Sequence, residues 1–79
     1  GLCFFLFVDI NDDLYCSARD WHMVTQKPWK SPSTSFTVVA GTGYAALSPS
    51  TLNDPRGIHV TANLDLYVAD CGNDRVQLF

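Results

Sequence analysis

Glutamate is absent from this 79-residue sequence, and lysine and arginine together number only five. Glu, Lys and Arg are among the strongest helix formers, so their scarcity argues against a helical bundle. The acidic residues are eight aspartates, which leave a formal charge of −3. So few cations give no electrostatic reason to expect a nucleic-acid backbone or an anionic lipid surface as partner. Long apolar runs are also lacking. The longest, Leu2 to Val8, has seven residues, against roughly 20 needed to cross a bilayer. Gly1 before it and Asp9 after it do not provide the basic flank and small-residue cleavage site of a secretory leader. Cys3, Cys16 and Cys71 are too few for a disulfide framework, and no CxxC or Cys/His pairing at zinc-ligand spacing occurs. Gly-x-Ser-x-Gly, HExxH and phosphate-loop patterns are missing. Gly41-Thr42-Gly43 lacks the third glycine and the helix of a dinucleotide fingerprint. The expectation is therefore no catalytic residue, no metal ligand and no cofactor.

What is present is apolar and strand-forming. Hydrophobic residues make up 47% and charged residues 16%, a globular rather than a disordered composition. A chain this short buries only about 60–65% of the surface its unfolded form exposes, so a thin core is expected. Phe4 to Asp9 is aromatic and β-branched, Asn11-Asp12-Asp13 is a turn cluster, and Leu14 to Ser17 resumes an apolar strand, so residues 4–17 read as a hairpin. Trp21 to Thr25 reads as a third strand, Lys27 to Ser35 as a surface loop, and Phe36 to Ala40 as a fourth strand. Residues 41–56 form an irregular crossing marked by Gly43, Pro49 and Pro55. Strands then return at Gly57–Thr61, Asp65–Ala69 and Arg75–Phe79.

An internal repeat underlies this order. Displacement by 52 positions lays Val8, Asn11, Asp13, Leu14, Tyr15 and Val24 on Val60, Asn63, Asp65, Leu66, Tyr67 and Val76 without a gap. Both copies run apolar strand, Asn/Asp turn, Leu-Tyr strand, polar turn and Val-bearing strand. The shared unit is an antiparallel meander, and four-stranded meanders repeated at this spacing are typical of propeller blades.

Pro55-Arg56-Gly57-Ile58-His59-Val60, followed by Leu66-Tyr67-Val68-Ala69-Asp70-Cys71-Gly72-Asn73-Asp74-Arg75-Val76-Gln77, resembles an NHL repeat over residues 52–79. The resemblance implies an all-β fold of antiparallel four-stranded blades, part of a six-bladed propeller. Residues 1–40 are then a degenerate blade, 41–56 an inter-blade loop, and 57–79 a repeat without its last strand. In the degenerate copy, Ala18, Asp20, Trp21 and Met23 replace the motif's Asp, Gly, Asn and Arg. About two blades cannot close on themselves, since repeats are stabilised by stacking and at least about three are normally needed. Exposed strand edges and poor cooperativity are expected of such a piece.

The motif residues Pro55, Gly57, Asp70, Gly72, Asn73 and Arg75 read as structural. Asp70 and Asn73 can cap N–H groups across a tight turn, Gly72 can supply a positive φ, and Arg75 can return to Asp70 or to turn carbonyls. Pro55 fixes the start of the innermost strand, Gly57 lets backbones converge near the axis, and Arg56 is solvated. His22 and His59 have no second His or Cys at ligand spacing, and His59 reads as a blade-interface residue. Asp9, Asp12 and Asp13 lack the alternate spacing and terminal Glu of a calcium loop and read as turn formers. Cys3 and Cys16, on neighbouring strands, are a candidate disulfide that would favour an extracellular setting; two free thiols are the alternative.

NHL propellers present their loops to protein partners, which gives a non-enzymatic interaction scaffold as the leading expectation, with adjacent blades of the same propeller as further neighbours. Some family members bind RNA, which the charge disfavours here. The alternatives are part of a metal-binding propeller enzyme, of the amidating-lyase or lactonase type, and an extracellular scaffold or receptor domain.

Overall fold

A computed structural model describes residues 3–28 and 36–79. All strand pairings are antiparallel and fall into two sheets, one with the order β1-β2-β3-β4 and one with the order β5-β6-β7. The first contains β1 (Phe5–Val8), β2 (Asp13–Ala18), β3 (Met23–Pro28) and β4 (Thr37–Gly41). The second contains β5 (Pro55–Val60), β6 (Leu66–Asp70) and β7 (Arg75–Leu78). Among the described residues the only helical turns are two single 3₁₀ turns, Arg19–Trp21 and Cys71–Asn73. The all-β meander architecture agrees with the sequence.

The strand ends differ from expectation in three places. β3 begins at Met23 and runs through Pro28, because Trp21 is taken up by the 3₁₀ turn and His22 reverses the chain at φ 53°. The loop placed at Lys27–Ser35 is thus partly strand, and its residues 29–35 lie outside the described residues. The crossing narrows to 42–54, since β4 extends to Gly41 and β5 starts at Pro55. At Gly41 φ is +85°, and a Cβ there would run into the His22 carbonyl. Glycine lets β4 end against the 3₁₀ turn.

The 52-residue repeat holds bond by bond. Asp12 N donates to Asp9 O as Leu64 N does to Thr61 O, and Asp9 N donates to Asp13 O as Thr61 N does to Asp65 O. The Asp9 carboxylate receives Asp13 N at 3.0 Å, and the Thr61 hydroxyl receives Asp65 N at 3.1 Å. In the next turn His22 N donates to Arg19 O, and Asp74 N to Cys71 O. Asp12 and Leu64, and likewise His22 and Asp74, take left-handed backbone at matching positions.

Strand alternation gives each sheet two faces. Tyr15, Val24 and Ala40 on one sheet meet Ile58, Val60, Leu66 and Val68 on the other, and Leu52 from the crossing is sealed among them. Phe7, Val39 and Phe79 close the margins of this core. β5 lies against both β1 and β2, so the two meanders stack face to face with their first strands adjacent. At about 25 cal/mol per Å² of buried apolar area, this contact is the main force holding the sheets together.

Candidate functional site

Asp70, at the end of β6, is fully buried and is the centre of one polar network. Its carboxylate receives the Asn53 N–H at 2.7 Å, the Asn73 amide at 2.9 Å and the Arg75 Nε–H at 2.7 Å. Burial opposes its charge, but these three donors outweigh burial and hold the carboxyl below its ordinary value. Arg75 also donates to the Ser48 and Thr51 carbonyls at 2.6 and 2.9 Å, and Asn73 to the Ala46 carbonyl at 2.8 Å. Gln77 adds bonds to the carbonyls of Ser48 and Pro49. The Asn73 and Arg75 bonds to Asp70 lie within the turn, and the motif in addition ties the crossing to the second sheet. No side chain caps the 3₁₀ turn at its start.

Two glycine roles are corrected. Gly72 is not at positive φ; the left-handed residue of this turn is Asp74. A Cβ on Gly72 would come within 2.5 Å of Asn53 Cγ and 2.7 Å of Asn53 O, so glycine is needed for close approach of the crossing, whose Asn53 O receives the Gly72 N–H. Gly57 has room for a Cβ, which would meet only Ala69 Cβ at 3.8 Å, so backbone convergence does not require it. It lies where the β5–β6 register shifts between Pro55 and Ile58. Pro55 is buried at the start of β5, as its fixed φ suits.

A second network joins the two sheets. Asp54, at φ 53°, receives Arg19 Nε–H at 2.7 Å and Arg56 at 3.0 Å, while its N–H donates to His22 Nδ1 at 3.0 Å. The Arg19 hydrogen bond, with help from Arg56, lowers the Asp54 carboxyl against the opposing effect of burial. Arg19 also lies 4.5 Å over the Phe4 ring. Arg56 is an exposed residue and is also paired with Asp54. Ser17, completely buried, donates its hydroxyl to Arg56 O at 2.6 Å. The sequence did not single out Asp54 or Ser17. The only available signal was Asp54 before Pro55, a position driven away from right-handed helix.

A third network lies at the opposite end of β2. Asp9 receives the Tyr15 hydroxyl at 2.9 Å, together with the Asn11 and Asp13 N–H groups. Burial works against its charge, yet the donors hold its carboxyl low. Burial, followed by the Asp9 hydrogen bond, pushes the Tyr15 hydroxyl up to about 12. His59 meets Phe7 edge to face, with centroids 5.2 Å apart, at the contact between the first strands of the two meanders. The Cα atoms of Cys3 and Cys16 stand 5.3 Å apart with their sulfurs in bonding contact, and Cys71 is exposed and free. Among the described residues, no three His, Cys, Asp or Glu side chains converge as a metal site would need, and no helix is long and apolar enough to cross a membrane.

Among the described residues, each sheet exposes apolar side chains on its outer face. On the first sheet, Leu6, Leu14, Cys16 and Thr25 floor a cavity of about 320 Å³ rimmed by Trp21 and Phe36. On the second, Tyr67, Val76 and Leu78 are exposed. Turn residues Ile10 and Leu64 also present apolar side chains to solvent. No curated protein matches the chain. Residues 52–79, which contain the Asp70 network, match the family model of the NHL repeat.

Proposed function

We propose that this chain is a non-enzymatic propeller segment serving as a protein-interaction scaffold. The observation that carries the reading is the employment of its polar side chains. Asp9, Ser17, Asp54, Asp70, Asn73 and Arg75 are each engaged in holding turns, crossing and sheets together. A catalytic group must have a lone pair or proton free to meet substrate, and these groups spend theirs on the scaffold. The apolar tips Ile10 and Leu64 instead occupy solvent-facing turns of the two repeats, where rigid strands hold them in place. Turns on a rigid frame are the usual carriers of binding function.

The test is cross-linking with mass spectrometry in extract, comparing the native chain with an Ile10→Asp, Leu64→Asp variant. Loss of a reproducible set of cross-linked proteins in the variant, at unchanged circular dichroism, is expected. An unchanged set would sink the turn-tip reading. Stoichiometric zinc or calcium in the purified protein would move the assignment to the metal-dependent enzyme.

A further inference from the structure

The first strands of the two meanders run in the same direction, since Phe4 meets Arg56 and Phe7 meets His59. The turns that follow them, 9–13 and 61–65, therefore share one end of the molecule. Both are fixed from within. Asp9 holds the N–H groups of Asn11, Asp12 and Asp13, and Thr61 holds those of Leu64 and Asp65. Each turn displays one large apolar side chain, Ile10 at 69% exposed and Leu64 at 47%. Leu64 is out of place by turn chemistry. It sits at φ 68°, a left-handed conformation that favours Gly, Asn and Asp, and its match 52 positions earlier is Asp12 at φ 63°. A leucine here works against the fold twice, through its backbone and through the apolar surface it leaves in water.

Charge divides the molecule along the same axis. Arg19, Arg56 and Arg75 lie at the opposite end, and each is committed to Asp54 or Asp70. Asp12, Asp13 and Asp65 lie beside the apolar tips, and among the described residues none of the three has an ion-pair partner. Lys27, at this end of β3, lines the outer-face cavity with Leu14 and Cys16. We propose that the two turns dock a protein segment in which apolar residues alternate with lysine or arginine, its apolar side chains on Ile10 and Leu64 and its cations against Asp12, Asp13 and Asp65. This rests on the scaffold reading of the turn tips and names the chemistry of their partner. Charge complementarity selects that occupant. An acidic or phosphate-bearing partner is repelled by the three carboxylates, and a purely apolar one buries them without a counter-charge. The apolar contacts then carry the affinity, and the carboxylates carry selectivity and salt dependence. Because the turns are already ordered, docking costs them little conformational freedom.

Selection of displayed random peptides of about 12 residues, an extended reach of about 40 Å, on the immobilised native chain reads the partner's chemistry directly. Enriched sequences are expected to interleave Leu, Ile or Phe with Lys or Arg and to carry net positive charge. A synthetic peptide of the enriched sequence is then titrated by fluorescence anisotropy. Asp12→Asn together with Asp65→Asn is expected to weaken its binding about threefold to tenfold at low salt and to flatten the salt dependence. Leu64→Asn, which suits the left-handed turn, is expected to leave the urea midpoint unchanged or higher while weakening binding about tenfold. Enriched peptides that are neutral or acidic would overturn the proposal, as would binding unchanged in the double Asn variant or in Leu64→Asn. If neutral or acidic peptides are enriched but lost on Ile10→Asp, Leu64→Asp, the turn-tip scaffold reading stands and only its basic partner falls. Peptides bound equally by that variant would bring down both.

Discussion

Asp70 is fully buried and paired with an arginine that also holds two carbonyls of the crossing. Removing one partner of a buried ion pair leaves the other uncompensated. Asp70→Ala is expected to destabilise the chain by about 3 kcal/mol, read from the urea midpoint. Gly72→Ala drives a methyl group into Asn53 and is expected to cost about 1–3 kcal/mol, whereas Gly57→Ala should be nearly neutral because its Cβ has room. The carboxyls also set a pH dependence. Asp9, Asp54 and Asp70 are held below the ordinary carboxyl value, so their stabilising contribution is present above the unfolded-state pKa of about 4 and disappears as pH falls through their folded-state values. The urea midpoint should be flat between about pH 7 and 5, fall below about pH 4, and fall less steeply in Asp70→Asn. Tyr15 acts at the other extreme. Its neutral hydroxyl is favoured up to about 12, so stability should decline as pH rises above about 10, and Tyr15→Phe should remove that decline.

Individual strands and turns were legible to different degrees. The hairpin of β1 and β2 and the return of strands after the crossing follow from alternating apolar residues bounded by Asn/Asp turns. β3 starts two residues later than its apolar sequence suggests because Trp21, apolar and strand-prone, is held in a 3₁₀ turn whose reversal His22 accommodates at positive φ. The crossing misled most. Its Gly, Pro and Ser content indicates solvent, yet it delivers Leu52 to the centre of the core and four carbonyls to Asn73, Arg75 and Gln77. Partners 24–29 residues away leave no local spacing to read. Leu52→Ala is expected to cost about 2–5 kcal/mol, large for a residue in an irregular segment, and hydrogen exchange should then show loss of protection across both sheets. The Cys3–Cys16 pairing closes the first hairpin over a separation of 13 residues. Mass spectrometry of the non-reduced chain should recover the two as one linked peptide pair, and reduction should lower stability by about 3 kcal/mol on the chain-entropy account.

For the whole molecule, the thin core expected of so short a chain is one layer of buried side chains shared by two stacked meanders. The high apolar content next to so little charge fits the apolar layers seen among the described residues, the buried contact between the sheets and the exposed apolar side chains on their outer faces. A sheet with apolar residues on both faces is stabilised by a neighbour on each side, and among the described residues the two meanders cover one another on one face each.

Sequence alone determined the strands, the turns, the 52-residue repeat and the residues of the NHL motif, because these depend on local periodicity, turn chemistry and self-similarity. Only the tertiary structure decided which copy of each repeated residue is inside. Val24 is 0% exposed and Val76 71%, while Tyr15 is 6% exposed and Tyr67 39%, although each pair is identical in type and matched in position. The difference lies in what stands opposite. The second meander covers Tyr15 and Val24, none of the described residues covers Tyr67 and Val76, and the burial of a side chain is a property of its neighbour as much as of itself.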